Sequence, residues 1–348
     1  MLDFELYLRP FLIALAISLG LIVLIIKITQ KKSFLIGKKR ISKRHIHKKD
    51  KVVSRLGGIA IIISFIIAIL LDKNLIITNI LWGILAGGIF ILAVGLIDDF
   101  KEINWKVQLF FQTCAVSLIF IFGAKINYIT NPFGEAIYLD SPNKILIGII
   151  LGIIWSLILM NAMNWLDGID GLSGGITFIV TLTIFLLSLK PEVNQPPVGI
   201  IAITLAGSLL GFLILNFYPA KIMAGTSGTF FMGFILAGLS VFAGTKIATT
   251  LLVLSIPIID FFWVIGRRIK LKKSIFKADQ EHLHYKLLEM GWSQRKISLF
   301  FYAITILIAL FALNIEASGK LSMLLLLIIF MILFFKIINA NKLVSKNK

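Results

Sequence analysis

The chain has 348 residues, 58% of them hydrophobic and 15% charged, with a formal charge of +18 and a mean hydropathy of +0.97. Soluble domains are nearer half apolar and a quarter charged, so this balance excludes an ordinary water-soluble fold. Long uncharged runs, without the alternation of barrel strands, exclude a membrane β-barrel and point to an all-α, polytopic integral membrane protein.

The first predicted element is Phe11–Ile26. No small-residue cleavage site follows it, so it reads as a retained span rather than a signal peptide. A basic loop, 27–56, comes next and holds 12 Lys and Arg residues. The further apolar runs are Gly57–Leu71, Ile76–Ile97, Val107–Gly123, Ile145–Met160, Leu172–Leu189, Val198–Phe217, Phe230–Ala243, Ile247–Ile265, Ile297–Leu313 and Leu321–Phe335, which makes eleven candidate spans. Several fall short of the roughly 20 residues a perpendicular helix needs, so their ends are expected to reach into the polar flanks. The weakest boundary is "GTK", Gly244–Lys246. Cys114 is alone and lies in an apolar run, which rules out an intrachain disulfide and argues against a cysteine-based zinc site. No repeat breaks the pattern, and 1–348 reads as a single domain.

Of the 35 Lys and Arg residues, 28 fall in the loops after odd-numbered runs and in the C-terminal tail. The positive-inside rule makes that side cytoplasmic and the N-terminus external, in a cell (inner) membrane. Membrane topology accounts for most of the +18 charge, and nothing suggests a nucleic-acid partner.

Topology does not account for the acids. "GLIDDFKE" (Gly95–Glu102) ends the third run with Asp98, Asp99 and Glu102, and "NAMNWLDGIDGL" follows the fifth. "NFYPAKIMAGTSGTFFMGF" follows the seventh, and a His-containing loop, 266–297, follows the ninth. All four lie on the side assigned from Lys and Arg alone. Each has a bland reading. Asp-Asp at a helix end could be a solvated terminus, although acids there oppose the helix dipole. "DGIDGL" could be a turn whose Asp side chains hold backbone amides. His282 and His284 are two apart and share no helical face. Together the clusters favour function, because carboxylates at membrane depth cost roughly 2.5 kcal/mol or more each. Carboxylates beside many cations suit a divalent metal with polyphosphate: Mg²⁺ takes the oxygens and Lys/Arg neutralise the remaining charge. The chemistry so inferred is a metal-assisted phosphoryl-type transfer at the inner membrane surface.

At these clusters the chain resembles the polyprenyl-phosphate N-acetylhexosamine-1-phosphate transferases of glycosyltransferase family 4. "SRLGGIAI" (Ser54–Ile61) is similar to that family's "PRLGGIAI", and "DDFKE" to its "DDxxD", with Glu102 in the last place. "NAMNWLDGIDGLSGG" is similar to "NAxNxxDGxDGL", "NFYPAKIMAGTSGT" to "NFxPAKIFMGDSGS", and "EHLHYKL" to "EHLHHRL". The His loop favours the WecA/TagO branch over the more distant MraY.

The resemblance implies attack of polyprenyl (undecaprenyl) phosphate on a UDP-N-acetylhexosamine, release of UMP, and a need for Mg²⁺ or Mn²⁺. It implies that Asp98, Asp99, Asp167 and Asp170 serve catalysis and metal binding. Asn161, Asn164 and Asn216 would bind the donor. His282 and His284, helped by Arg267, Arg268 and Lys286, would meet phosphate or sugar. Lys48, Lys49 and Arg55 are candidates for the lipid headgroup, with plain anionic-lipid attraction as the alternative. Thr226 stands where the family has a metal-binding Asp, so either the other carboxylates hold the ion or the chain is an impaired member. A homodimer is left open. A non-enzymatic transporter is the main rival, but its acids should sit near the membrane midplane rather than at one face.

Overall fold

A computed structural model describes residues 4–31, 53–129, 131, 133–242, 247–275 and 280–346. A short π-helical turn, Phe4–Leu8, leads into α1 (Arg9–Lys31), α2 (Gly57–Leu71), α3 (Asn79–Lys101) and α4 (Trp105–Ile121). A two-residue hairpin, β1 (Tyr128–Ile129) against β2 (Ile137–Tyr138), separates these from α5 (Pro142–Leu166), α6 (Leu172–Ser188), α7 (Pro196–Asn216) and α8 (Gly225–Phe242). The remainder is α9 (Ile247–Val253), α10 (Ser255–Lys270), α11 (Leu283–Glu289), α12 (Gln294–Asn314) and α13 (Ala317–Lys346).

Local chemistry sets many of these starts. Side chains of Thr78, Asn104 and Ser293 cap α3, α4 and α12 by accepting from backbone N–H groups of the first turn. Pro142 and Pro196 stand at the first positions of α5 and α7, where a missing N–H costs nothing. Among the described residues each apolar run falls mainly on helix, and α5 extends past the uncharged Ile145–Met160 at both ends.

The ninth run departs from expectation. It is two helices, α9 and α10, bent by 73°. Pro257 lacks the N–H that would continue the ladder to Val253 and explains the break. Gly244–Lys246 lies outside the described residues. Among the described residues, six helices can cross a membrane by length and composition (α1, α3, α5, α7, α12 and α13), or seven if the bent pair is one span. The helices α2, α4, α6 and α8 are apolar but shorter; at 1.5 Å per residue, the 15 residues of α2 reach about 22 Å. The chain is therefore a multi-pass helical membrane protein.

The centre of the bundle is α8, where every residue from Ile222 to Val241 is buried. Its start is joined to the start of α2 by main-chain hydrogen bonds: Met223 N donates to Ser54 O (2.8 Å), Gly57 N to Met223 O (2.9 Å) and Gly58 N to Ala224 O (2.9 Å). A side chain at Gly58 would collide with Gly228 N and Ser227 Oγ, so only glycine permits this approach. The end of α3 closes against the same turn, and the hairpin lies at the bundle's other end.

Candidate active site

Asp98 and Asp99 stand at the C-terminal end of α3, where the helix dipole disfavours them. Tertiary contact resolves the conflict, because Asp99 also faces the N-terminus of α8. Its carboxylate accepts from Thr226 N (2.7 Å), Ser227 N (3.2 Å) and Ser227 Oγ (3.0 Å). Arg55 lies 3.7 Å away. Gly225 begins α8 with a φ of 70°, and a side chain there would collide with Arg55 O and press on Asp99. Asp98 bridges the start of α4 and the same turn of α8. Its Oδ1 accepts from Ile103 N and Gln108 Nε2, both at 2.8 Å, and its Oδ2 accepts from Thr226 Oγ1 at 2.6 Å. The Thr226 hydroxyl thus donates to Asp98, which an ionised Asp at that position could not do.

Arg55, Asp98 and Thr226 border a cleft of about 460 Å³. Arg55, Asp98, Glu102, Asn161, Asn164 and Thr226 give its polar side; Trp105, Leu109, Leu157, Trp165, Phe261 and Ile265 give its apolar side. Asn161 donates to Gln112 Oε1 of α4 (2.8 Å), and Asn164 donates to Thr229 Oγ1 of α8 (2.8 Å).

Asp167 ends α5 and accepts from Ser173 Oγ at 2.6 Å. Burial pushes its carboxyl up to about 7, against the lowering effect of the Ser173 hydrogen bond and the Arg55 charge. Asp99, Asp167, Asp170 and Asn216 are not among the cleft-lining residues. Asp170 is 1% exposed and accepts from Ala220 N (2.9 Å). Asn216 is fully buried; it accepts from Gly171 N (3.1 Å) and donates to Ile222 O (2.8 Å). The pair staples the "DGIDG" turn to the "NFYPAKI" loop, the amide-holding role considered above for "DGIDGL".

The His loop packs beside this turn. Gly168 leaves room for the His284 ring, since a side chain there would collide with His284 Nε2. His282 precedes α11 rather than lying in it, so its ring stacks on that of His284 (centroids 5.7 Å, planes 7° apart) despite the two-residue spacing. Arg268 is buried, donates to Ile275 O and lies over the Trp165 ring at 4.7 Å. Arg267 pairs with Glu281, and Lys286 lies 3.8 Å from the same carboxylate. Lys48 and Lys49 lie outside the described residues.

Sequence reading missed Trp165, Gln108, Gln112 and Asp260. The first three carried no charge to draw notice. Asp260 did: an acid inside "SIPIIDFFWVIG" is the signal that marks function within a membrane.

Among the described residues no three His, Cys, Asp or Glu side chains converge as a metal cage. Mg²⁺ ordinarily uses only one or two carboxylates, completed by water and substrate phosphates. Asp98 puts hard carboxylate oxygens on the cleft and suits that kind of partial site.

Comparison with known proteins agrees with this picture. The profile described as Glycosyl transferase family 4 matches residues 81–244. The chain is 29% identical over 337 residues to a probable undecaprenyl-phosphate N-acetylglucosaminyl 1-phosphate transferase of Bacillus subtilis (strain 168), covering 94% of this chain and 90% of that protein. It is 31% identical over 280 residues to a decaprenyl-phosphate N-acetylglucosaminephosphotransferase of Mycobacterium leprae (strain TN), covering 71% and 69%. It is 30% identical over 286 residues to a putative UDP-N-acetylglucosamine–dolichyl-phosphate N-acetylglucosaminephosphotransferase of Sulfolobus acidocaldarius, covering 78% and 84%. Likeness of this extent, over the segments that build the cleft, establishes that the chain belongs to glycosyl transferase family 4.

Proposed function

We propose that this protein transfers N-acetylglucosamine 1-phosphate from UDP-N-acetylglucosamine to a polyprenyl phosphate, releasing UMP and starting a lipid-linked envelope glycan. The observation that carries the reading is one cleft bordered by Arg55, Asp98, Asn161, Asn164 and Thr226, all five from the motif stretches, with an apolar wall beside them. The eleven runs are then eleven crossings. The N-terminus is external, and the cleft opens at the cytoplasmic face, where nucleotide sugars are made.

The attacking group is a phosphate monoester with a second pKa near 6, mostly dianionic at pH 7. It needs little help from a base. One of its oxygens bonds to the β-phosphorus, the bond from that phosphorus to the α-phosphate oxygen breaks, and UMP leaves with the electron pair. The difficulty is bringing two anions together. Arg55 reaches the cleft while holding Asp99, and so offers donors to a phosphate. Mg²⁺ or Mn²⁺ held at Asp98 would supply the remaining charge neutralisation on the diphosphate. Asn164 is fixed through its Nδ2, which leaves Oδ1 for donor N–H or O–H groups. The apolar wall accommodates the first isoprene units.

The test is UMP release from labelled UDP-N-acetylglucosamine by purified protein in detergent. Release should require both polyprenyl phosphate and divalent cation. Release without lipid, or none with any UDP-N-acetylhexosamine, would sink the proposal.

A further inference from the structure

Asp260 is an acid in α10, within the apolar segment that follows the bend, and is 5% exposed. Both its oxygens are committed to one neighbour. Oδ1 accepts from Leu283 N at 2.9 Å, and Oδ2 meets His282 Nδ1 at 2.8 Å. One carboxylate therefore fixes both the backbone after His282 and the imidazole itself. A carboxylate has no proton to give, so Nδ1 must carry the hydrogen. Whether the ring is neutral or charged, Nε2 is then the only nitrogen it can present to a ligand. The ring is held edge-on to Trp165, with centroids 5.4 Å apart, and Trp165 lines the cleft. Phe261, next to Asp260 in sequence, lines the same cleft with its ring 4.6 Å from that of Trp165.

We propose that Asp260 is a positioning residue of the active site, acting through His282. It selects the tautomer that leaves Nε2 to the ligand, and it locks the imidazole against the Trp165 wall. This rests on the transferase reading above and deepens it by adding a residue outside the family motifs quoted for that reading. Leu283 N–H and His282 Nδ1–H are two donors facing two acceptor oxygens. Asparagine has one acceptor oxygen for those two donors, so Asp260→Asn must release one of them or invert the tautomer.

The experiment combines ¹⁵N-histidine spectroscopy with kinetics of UMP release. In wild type, His282 Nδ1 should be protonated. In Asp260→Asn the ring should lose that tautomer. Its kcat should fall at least about tenfold with KM for polyprenyl phosphate unchanged. His282→Phe keeps the aromatic contact with Trp165 and should lose kcat by a similar factor. The double variant should lose no more than either single one. A ring whose protonation does not change in Asp260→Asn, a changed ring with wild-type kcat, or losses that multiply in the double variant would each overturn the proposal. If Asp260→Asn fails to fold, His282→Phe decides: full activity overturns it, and a tenfold loss at unchanged KM supports it. A wild type that never releases UMP overturns the transferase reading, whereas an active wild type with equally active variants overturns only the role of Asp260.

Discussion

Replacing Thr226 by Asp tests how this cleft balances its charge. The Thr226 hydroxyl donates to Asp98 Oδ2 at 2.6 Å, and its backbone N–H already serves Asp99. A carboxylate in its place would set two unit charges about 4 Å apart, which costs about 4 kcal/mol at an effective dielectric constant of 20. The N-terminus of α8 returns about 1 kcal/mol at most. A net loss of about 3 kcal/mol should appear as a lower unfolding midpoint for Thr226→Asp in detergent with EDTA. A divalent cation relieves the repulsion, and Mg²⁺ at a hundred times its Kd restores about 2.7 kcal/mol. The variant should therefore regain most of its stability with Mg²⁺, while the wild type moves much less. Thr226→Val keeps the volume, loses one hydrogen bond to a cleft-lining carboxylate, and should cost about 1 kcal/mol with no new Mg²⁺ dependence. Equal stability of Thr226→Asp and wild type in EDTA, or equal stabilisation of both by Mg²⁺, would refute this account of the Thr226–Asp98 contact.

Three other outcomes are expected. Asp167 has its folded pKa raised to about 7 from 3.8, so the native state binds the extra proton and this group's contribution to stability declines as pH rises between those values; the midpoint difference between Asp167→Asn and wild type should grow from pH 5 to pH 8, and a pH-independent difference would contradict it. Gly58→Ala drives a methyl into the start of α8 and should cost about 1–3 kcal/mol in thermal unfolding along with activity, whereas Gly266→Ala, inside α10 with open space at its Cβ position, should cost no stability and leave activity unchanged. In a Cys114→Ala background, a cysteine at exposed Lys221 should react only with reagent on the cytoplasmic side and one at exposed Glu192 only from outside; reaction of both from one side would overturn the proposed sidedness.

The helices were legible because apolar runs bounded by polar residues need no tertiary information. The bend at Leu254 was not, because hydropathy continues unchanged through Pro257. The motif stretches converge in part, and Arg55, Asp98, Asn161, Asn164 and Thr226 meet at one cleft. The division of labour among the acids was hidden. Asp99 caps a helix that begins 126 positions further on, and the contacts at Thr226 and Ser227 span 127 and 128 residues. Asp170 and Asn216 sit in motifs as suggestive as those of Asp98 and Asn164, yet they lie off the cleft that Asp98 and Asn164 line. That distinction exists only once the two turns are folded together.

The apolar wall of the cleft carries a kinetic consequence. Ile154, Leu157 and Ile158 of α5 face Phe261 and Ile265 of α10 across it, and Ile154 is still 48% exposed, so the wall continues onto the outer surface of the bundle. A substrate with a hydrocarbon tail can slide in along that surface without ever dissolving in water. Its encounter rate is then a two-dimensional quantity, set by mole fraction in the bilayer or micelle. Adding detergent at constant enzyme and lipid should slow turnover by surface dilution, while the dependence on the water-soluble nucleotide sugar stays governed by bulk concentration.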